Sequence, residues 1–107
     1  MTEDTLTILS ERRGSAHHVA PSGELDIATV DQLEHALLEV ERTDVKTIVL
    51  DLSGLDFIDS TGLRLVIDAN ERCGGRDGRL GVIAGSPAVD RLLDLVGLRE
   101  LLPLITP

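Results

Sequence analysis

Two hydrophobic rhythms run along this chain. Residues 5–10, Thr-Leu-Thr-Ile-Leu-Ser, alternate polar and apolar side chains, the period of an edge strand. Glu11–Ser15 reads as a turn, Ala16–Ala20 as a second strand, and Pro21-Ser22-Gly23 as its end, so the first two strands form a hairpin. The rhythm then changes. Val30, Leu33, Leu37 and Val40 recur at helical spacing, with Glu34, Glu39 and Glu41 off that face. With Thr29-x-x-Gln32 as a capping box, this predicts an amphipathic helix from about 28 to 42. Residues 47–53, TIVLDLS, are nearly continuously apolar and branched, which suits a central strand buried on both faces. A second helix is expected over 60–73, broken by GGRDG, and a buried strand over 79–85. Ser86-Pro87 starts a third helix, whose apolar face is Val89, Leu92, Leu93 and Val96, and Gly97 ends it. The apolar tail LRELLPLITP is expected to pack back on the body.

The order β-β-α-β-α-β-α predicts one α/β domain over residues 1–107. Its sheet is mixed, mostly parallel, with four to five strands and helices packed on it. Right-handed crossovers put the strand-to-helix loops on the carboxyl edge of the sheet, where α/β domains carry function. The segment GLDFIDS, residues 54–60, is read as one of those loops.

Composition narrows the chemistry. The chain has one Phe, no Trp and no Tyr, so its core is aliphatic and it lacks the platforms on which bases stack. Its net charge of −9 repels a phosphate backbone, so no nucleic-acid partner is expected. The acidity is concentrated: residues 24–59 hold ten acidic and two basic side chains, whereas residues 60–107 hold six of each. This is either a solvated acidic face or a surface that meets a basic partner patch. One cysteine, Cys73, rules out an internal disulfide and supplies no metal cluster. No apolar run approaches a membrane span, and the N-terminus lacks a signal-peptide layout. The expectation is a cytoplasmic protein without cofactor or membrane partner. Its oligomeric state is left open, a monomer being the simpler case.

Candidate chemistry gathers at Asp59-Ser60-Thr61-Gly62. Either Asp59 or Ser60 can cap the helix by accepting from first-turn amides. One cap needs only one of three consecutive polar residues, and Gly62 costs about 1 kcal/mol in a helix interior relative to Ala. Leu63, Val66 and Ile67 form the expected core stripe. Gly62, Leu65 and Ala69 fall on a separate small apolar flank, either a docking surface or a contact with the neighbouring helix. A phosphate on Ser60 would be tolerated through the helix amides and dipole and opposed by Asp56 and Asp59. A catalytic serine is disfavoured, because no G-x-S-x-G elbow is present and His17, His18 and His35 are not positioned to serve it. A response-regulator aspartate is disfavoured too, since the acidic pair and late lysine are missing.

The motifs GELD (23–26), VLDLSGLDFIDSTGL (49–63), the GGR approach to the strand at 79–85 and the helix SPAVDRLLDLVGL (86–98) resemble a STAS domain. The chain is most similar to the bacterial anti-sigma factor antagonists. That resemblance implies a binding module, not an enzyme. Its partner would be an anti-sigma factor that is also a serine/threonine kinase, and binding would free the sigma factor. Phosphorylation of Ser60 would release the partner, and a serine phosphatase would reset it. Thr61 is the secondary acceptor. Asp59 would orient the hydroxyl or cap the helix, and Gly62 and Leu63 complete the motif. Glu24, Leu25 and Asp26 match the family's turn at the same end of the domain. The expected partner surface is Glu24, Asp26, Asp56, Asp59, Ser60, Thr61, Gly62, Leu65 and Ala69. An alternative role is that of a STAS subunit in a transporter or larger signalling assembly.

Overall fold

The computed structural model describes residues 5–107. The first residues of the acidic N-terminus, 1–4, lie outside the described residues. The elements are β1 (Leu6–Arg13), β2 (Ala16–Leu25), α1 (Val30–Glu41), β3 (Thr47–Asp51), β4 (Gly54–Ile58), α2 (Ser60–Arg72), β5 (Leu80–Ile83) and α3 (Pro87–Val96). Short 3-10 turns lie at Gly75–Asp77 and Arg99–Leu101. The sheet has five strands, of which only β1 is antiparallel to its neighbour.

The hairpin is tighter and longer than the sequence suggested. Arg13 pairs with Ala16 across Gly14-Ser15, and Gly14 alone takes positive φ, the pattern of a II′ turn. β2 does not stop at Pro21. Its first half, Ala16–Val19, pairs with β3, and its last residues, Ser22–Leu25, pair with β4. Pro21 falls in the gap between these two ladders, where its missing N–H costs no bond. β3 and β4 therefore lie end to end along one edge of β2.

β4 corrects the loop assigned to residues 54–60. Its burial does not alternate: Leu55 and Ile58 are buried, whereas Asp56 and Phe57 are exposed. The register explains this. Gly23 faces Leu55 and Glu24 faces Phe57, so Asp56 is the extra residue of a β-bulge.

Ile48 and Leu50 of β3 enter a core shared with Leu33, Leu37 and Val40 of α1, Val66 and Ala69 of α2, and Val89 and Leu93 of α3. The tail does pack back, as expected. Leu104 bridges Val82, and Ile105 lies so close to Gly81 that a Cβ there would fall 2.9 Å from its Cδ1. Arg72 and Glu41 join α2 to α1 through two hydrogen bonds of 2.8 and 3.0 Å.

Candidate functional site

β2 and β4 end side by side at the carboxyl edge of the sheet, Leu25 facing Ile58. The Asp59 amide donates to the Leu25 carbonyl at 3.3 Å, which ties the two strand ends together. Glu24 and Asp26 are thus brought next to Asp56, Asp59 and Ser60, giving one acidic sheet end.

The turn after β2 is held by side chains. Asp26 Oδ1 accepts from the Ala28 amide at 2.9 Å. Thr29 is buried; its hydroxyl donates to the Glu24 carbonyl at 2.8 Å and accepts from the Asp26 amide at 3.0 Å. Its oxygen therefore makes no bond to the first turn of α1, and the expected capping box is not formed. Ile27 is left 78% exposed at the tip.

At α2, Asp59 is the N-cap. One oxygen, Oδ1, accepts from the Thr61 amide at 2.9 Å and the Gly62 amide at 3.1 Å. The Asp59 carbonyl takes the Leu63 amide at 3.1 Å. The first-turn amides are therefore largely consumed before any phosphate arrives. The bonds that Thr61, Gly62 and Leu63 already make to Asp59 limit the support that the helix start was expected to give a modified Ser60. Ser60 is the first helical residue and is exposed, and among the described residues its hydroxyl makes no hydrogen bond. The histidines are engaged elsewhere or remote: His17 bonds Ser10 at 2.7 Å, His35 pairs with Glu39 at 3.1 Å, and His18 lies on the sheet beside Leu9 and Asp51. Among the described residues, no histidine is placed to activate the Ser60 hydroxyl. Cys73 is no substitute nucleophile, because burial pushes its thiol up from the ordinary range.

The flank proposed as a docking surface is buried. Leu65 is 3% exposed and Ala69 fully enclosed, and Gly62 is buried as well. A Cβ on Gly62 would fall 2.9 Å from Leu25 and 3.0 Å from Ile58, so the glycine lets α2 approach the strand ends. These three residues belong to the core because α2 packs against α1 as well as the sheet. The exposed neighbour of Ser60 is a different strip. Ser60, Thr61, Arg64, Ile67, Val96 and Leu98 line an open groove of about 440 Å³ between α2 and the end of α3. Ile67 was expected in the core and is only partly buried; Val96, also expected there, is 41% exposed. None of Arg64, Val96 and Leu98 was foreseen in the sequence as lining a groove beside Ser60. The available signal was position: Arg64 stands one helical turn after Ser60. On the other side of α3, Asp56 and Phe57 meet Arg91, Leu92 and the 78% exposed Leu95.

Fold and site together define a small α/β domain that presents a capped helix start beside an apolar groove at one end of a mixed sheet. A family model described as "Mlab, STAS domain" matches residues 8–105, and the chain belongs to the STAS domain family. An anti-sigma-B factor antagonist of Staphylococcus aureus (strain NCTC 8325 / PS 47) is 29% identical over 97 residues, which span 91% of this chain and 90% of the relative. One from Staphylococcus epidermidis is 30% identical over 86 residues, 80% of each chain. Among solved structures, an anti-sigma factor antagonist from Mycobacterium paratuberculosis superposes with a TM-score of 0.86 at 34% identity, covering 99% of this chain and 89% of that one. The antagonist SpoIIAA in its unphosphorylated form gives 0.68 at 25% identity, covering 94% and 89%. No helix among the described residues is long and apolar enough to cross a membrane.

Proposed function

We propose that this chain is an anti-sigma factor antagonist switched by phosphorylation of Ser60. Unmodified, it binds an anti-sigma factor serine/threonine kinase through the acidic sheet end and the α2–α3 groove, and the sigma factor is released. The partner supplies the catalysis. The Ser60 oxygen bonds to the γ-phosphorus of ATP, the bond to ADP breaks, and the hydroxyl proton passes to a base of the kinase. The new dianion adds to the negative charge of Glu24, Asp26, Asp56 and Asp59 at the same end of the sheet, and partner binding weakens by charge and bulk. A serine phosphatase restores the hydroxyl. Thr61 is the secondary acceptor.

The observation that carries this reading is the division of labour at the helix start. Asp59 does the capping, so Ser60 is exposed and uncommitted. The names of the relatives agree with the antagonist role, and the chain matches most of their length. That favours an antagonist over a subunit of a transporter or larger assembly. Incubation with an anti-sigma factor kinase and ATP, followed by mass spectrometry, tests the proposal. One phosphate on Ser60, none on Ser60→Ala, and loss of the complex on modification are expected. Absence of both binding and modification would overturn it.

A further inference from the structure

We propose that Arg64 is the intrinsic partner of a phosphate on Ser60, and that modification moves its guanidinium from Asp68 to the phosphate. This rests on Ser60 being the phospho-acceptor. Three observations lead to it. The Thr61, Gly62 and Leu63 amides are already bonded to Asp59, so they are not free to receive the phosphate. The acids at the sheet end, Glu24 on β2, Asp26 just after it, Asp56 on β4 and Asp59 at the cap of α2, all oppose a dianion. Arg64 is the one charged side chain among the described residues lining the groove that Ser60 enters.

Arg64 is also loosely held at present. Its side chain is 79% exposed, and its Nε stands 3.7 Å from Asp68 Oδ1, beyond hydrogen-bond distance. That pair runs in the weaker helical order, with the base four residues before the acid. Side chains on a helix lean toward its N-terminus, so Arg64 leans toward Ser60 and must reach back for Asp68. Phosphoserine at 60 and arginine at 64 form the favourable order, acid first, at the same i,i+4 spacing. A guanidinium can also bind two phosphate oxygens at once. The charge of the described groove lining then goes from +1 to roughly −1, because the phosphate arrives and pairs with Arg64.

The test installs phosphoserine at position 60 by genetic encoding, so that no kinase is needed. Phosphorus NMR then follows the second ionisation of the phosphate, near pH ~6 for an unperturbed group. Pairing favours the dianion and lowers this pKa; Arg64→Gln should raise it by about 0.2–0.4 unit. The Arg64 Nε–H resonance of the parent should move with the same midpoint. Asp68→Asn should lower the midpoint slightly, and that effect should vanish in the Arg64→Gln background. An unchanged midpoint in Arg64→Gln, or an Arg64 resonance that ignores the titration, overturns the pairing. Failure of a kinase to modify Ser60 would sink the functional reading while leaving this measurement standing.

Discussion

Two serines stand at the starts of two helices in this domain, and they are used in opposite ways. Ser86 is itself the cap of α3. It is 2% exposed, its hydroxyl accepts from the Val89 amide at 3.1 Å, and Pro87 follows as the first helical residue. Ser60 is one position further along. Asp59 occupies the cap of α2, and Ser60 falls on the first turn with its hydroxyl in solvent. The difference of one position decides whether a serine is structural or available. A capping oxygen has its lone pairs directed at backbone amides and is enclosed by the helix it starts. A hydroxyl just inside the helix has no such duty, and an acid in the cap keeps it so.

The strongest way to break this comparison is on the flank that α2 carries behind Ser60. If Gly62, Leu65 and Ala69 are core, Leu65→Ala should destabilise the fold by about 3 kcal/mol, from lost burial plus a cavity. Urea unfolding measures it. A loss below about 1 kcal/mol, with weakened partner binding, would return the flank to the interface.

That flank also shows where the sequence is silent. The helix starts at 60 and 86 were legible because capping residues and periodic apolar positions agree there. The strands at 47–51 and 80–83 were legible as unbroken apolar runs. β4 was not. The bulge at Asp56 spaces Leu55 and Ile58 three apart, which is neither a strand nor a loop signal. The second half of β2 was hidden by Pro21 and Gly23. The proline is tolerated because β3 and β4 leave a gap opposite it, a fact of pairing that local sequence does not carry. Gly23 adopts φ +105, and its backbone passes too close to the Thr5 carbonyl for any side chain. On α2, helical periodicity placed Gly62, Leu65 and Ala69 on one side but could not say that α1 and the strand ends cover that side. The Ser60 motif itself was readable; the identity of its cap was left between Asp59 and Ser60, and geometry decides for Asp59.

A smaller effect is expected at the enclosed serine. Ser86→Ala removes the acceptor of the Val89 amide in a buried setting and should cost about 1–2 kcal/mol. Denaturant unfolding with an unchanged slope would place the whole loss in the folded state. A neutral outcome would mean that α3 depends on Pro87 and its packing rather than on its cap.

The smallest effect sharpens the comparison most. Ser60→Ala and Ser60→Asp should each change stability by no more than about 0.5 kcal/mol, because the Asp59 bonds to Thr61 and Gly62 survive both. In Ser60→Asp the helix dipole favours the new carboxylate, while Asp56 and Asp59 oppose it, so the two terms largely offset each other. Thermal melts at pH 7 would therefore overlay, whereas partner binding should fall for the aspartate and persist for the alanine. A loss above about 1 kcal/mol in either variant would give Ser60 a structural role like that of Ser86. The distinction between the two helix starts would then collapse, and with it the reason for regarding Ser60 as a free hydroxyl.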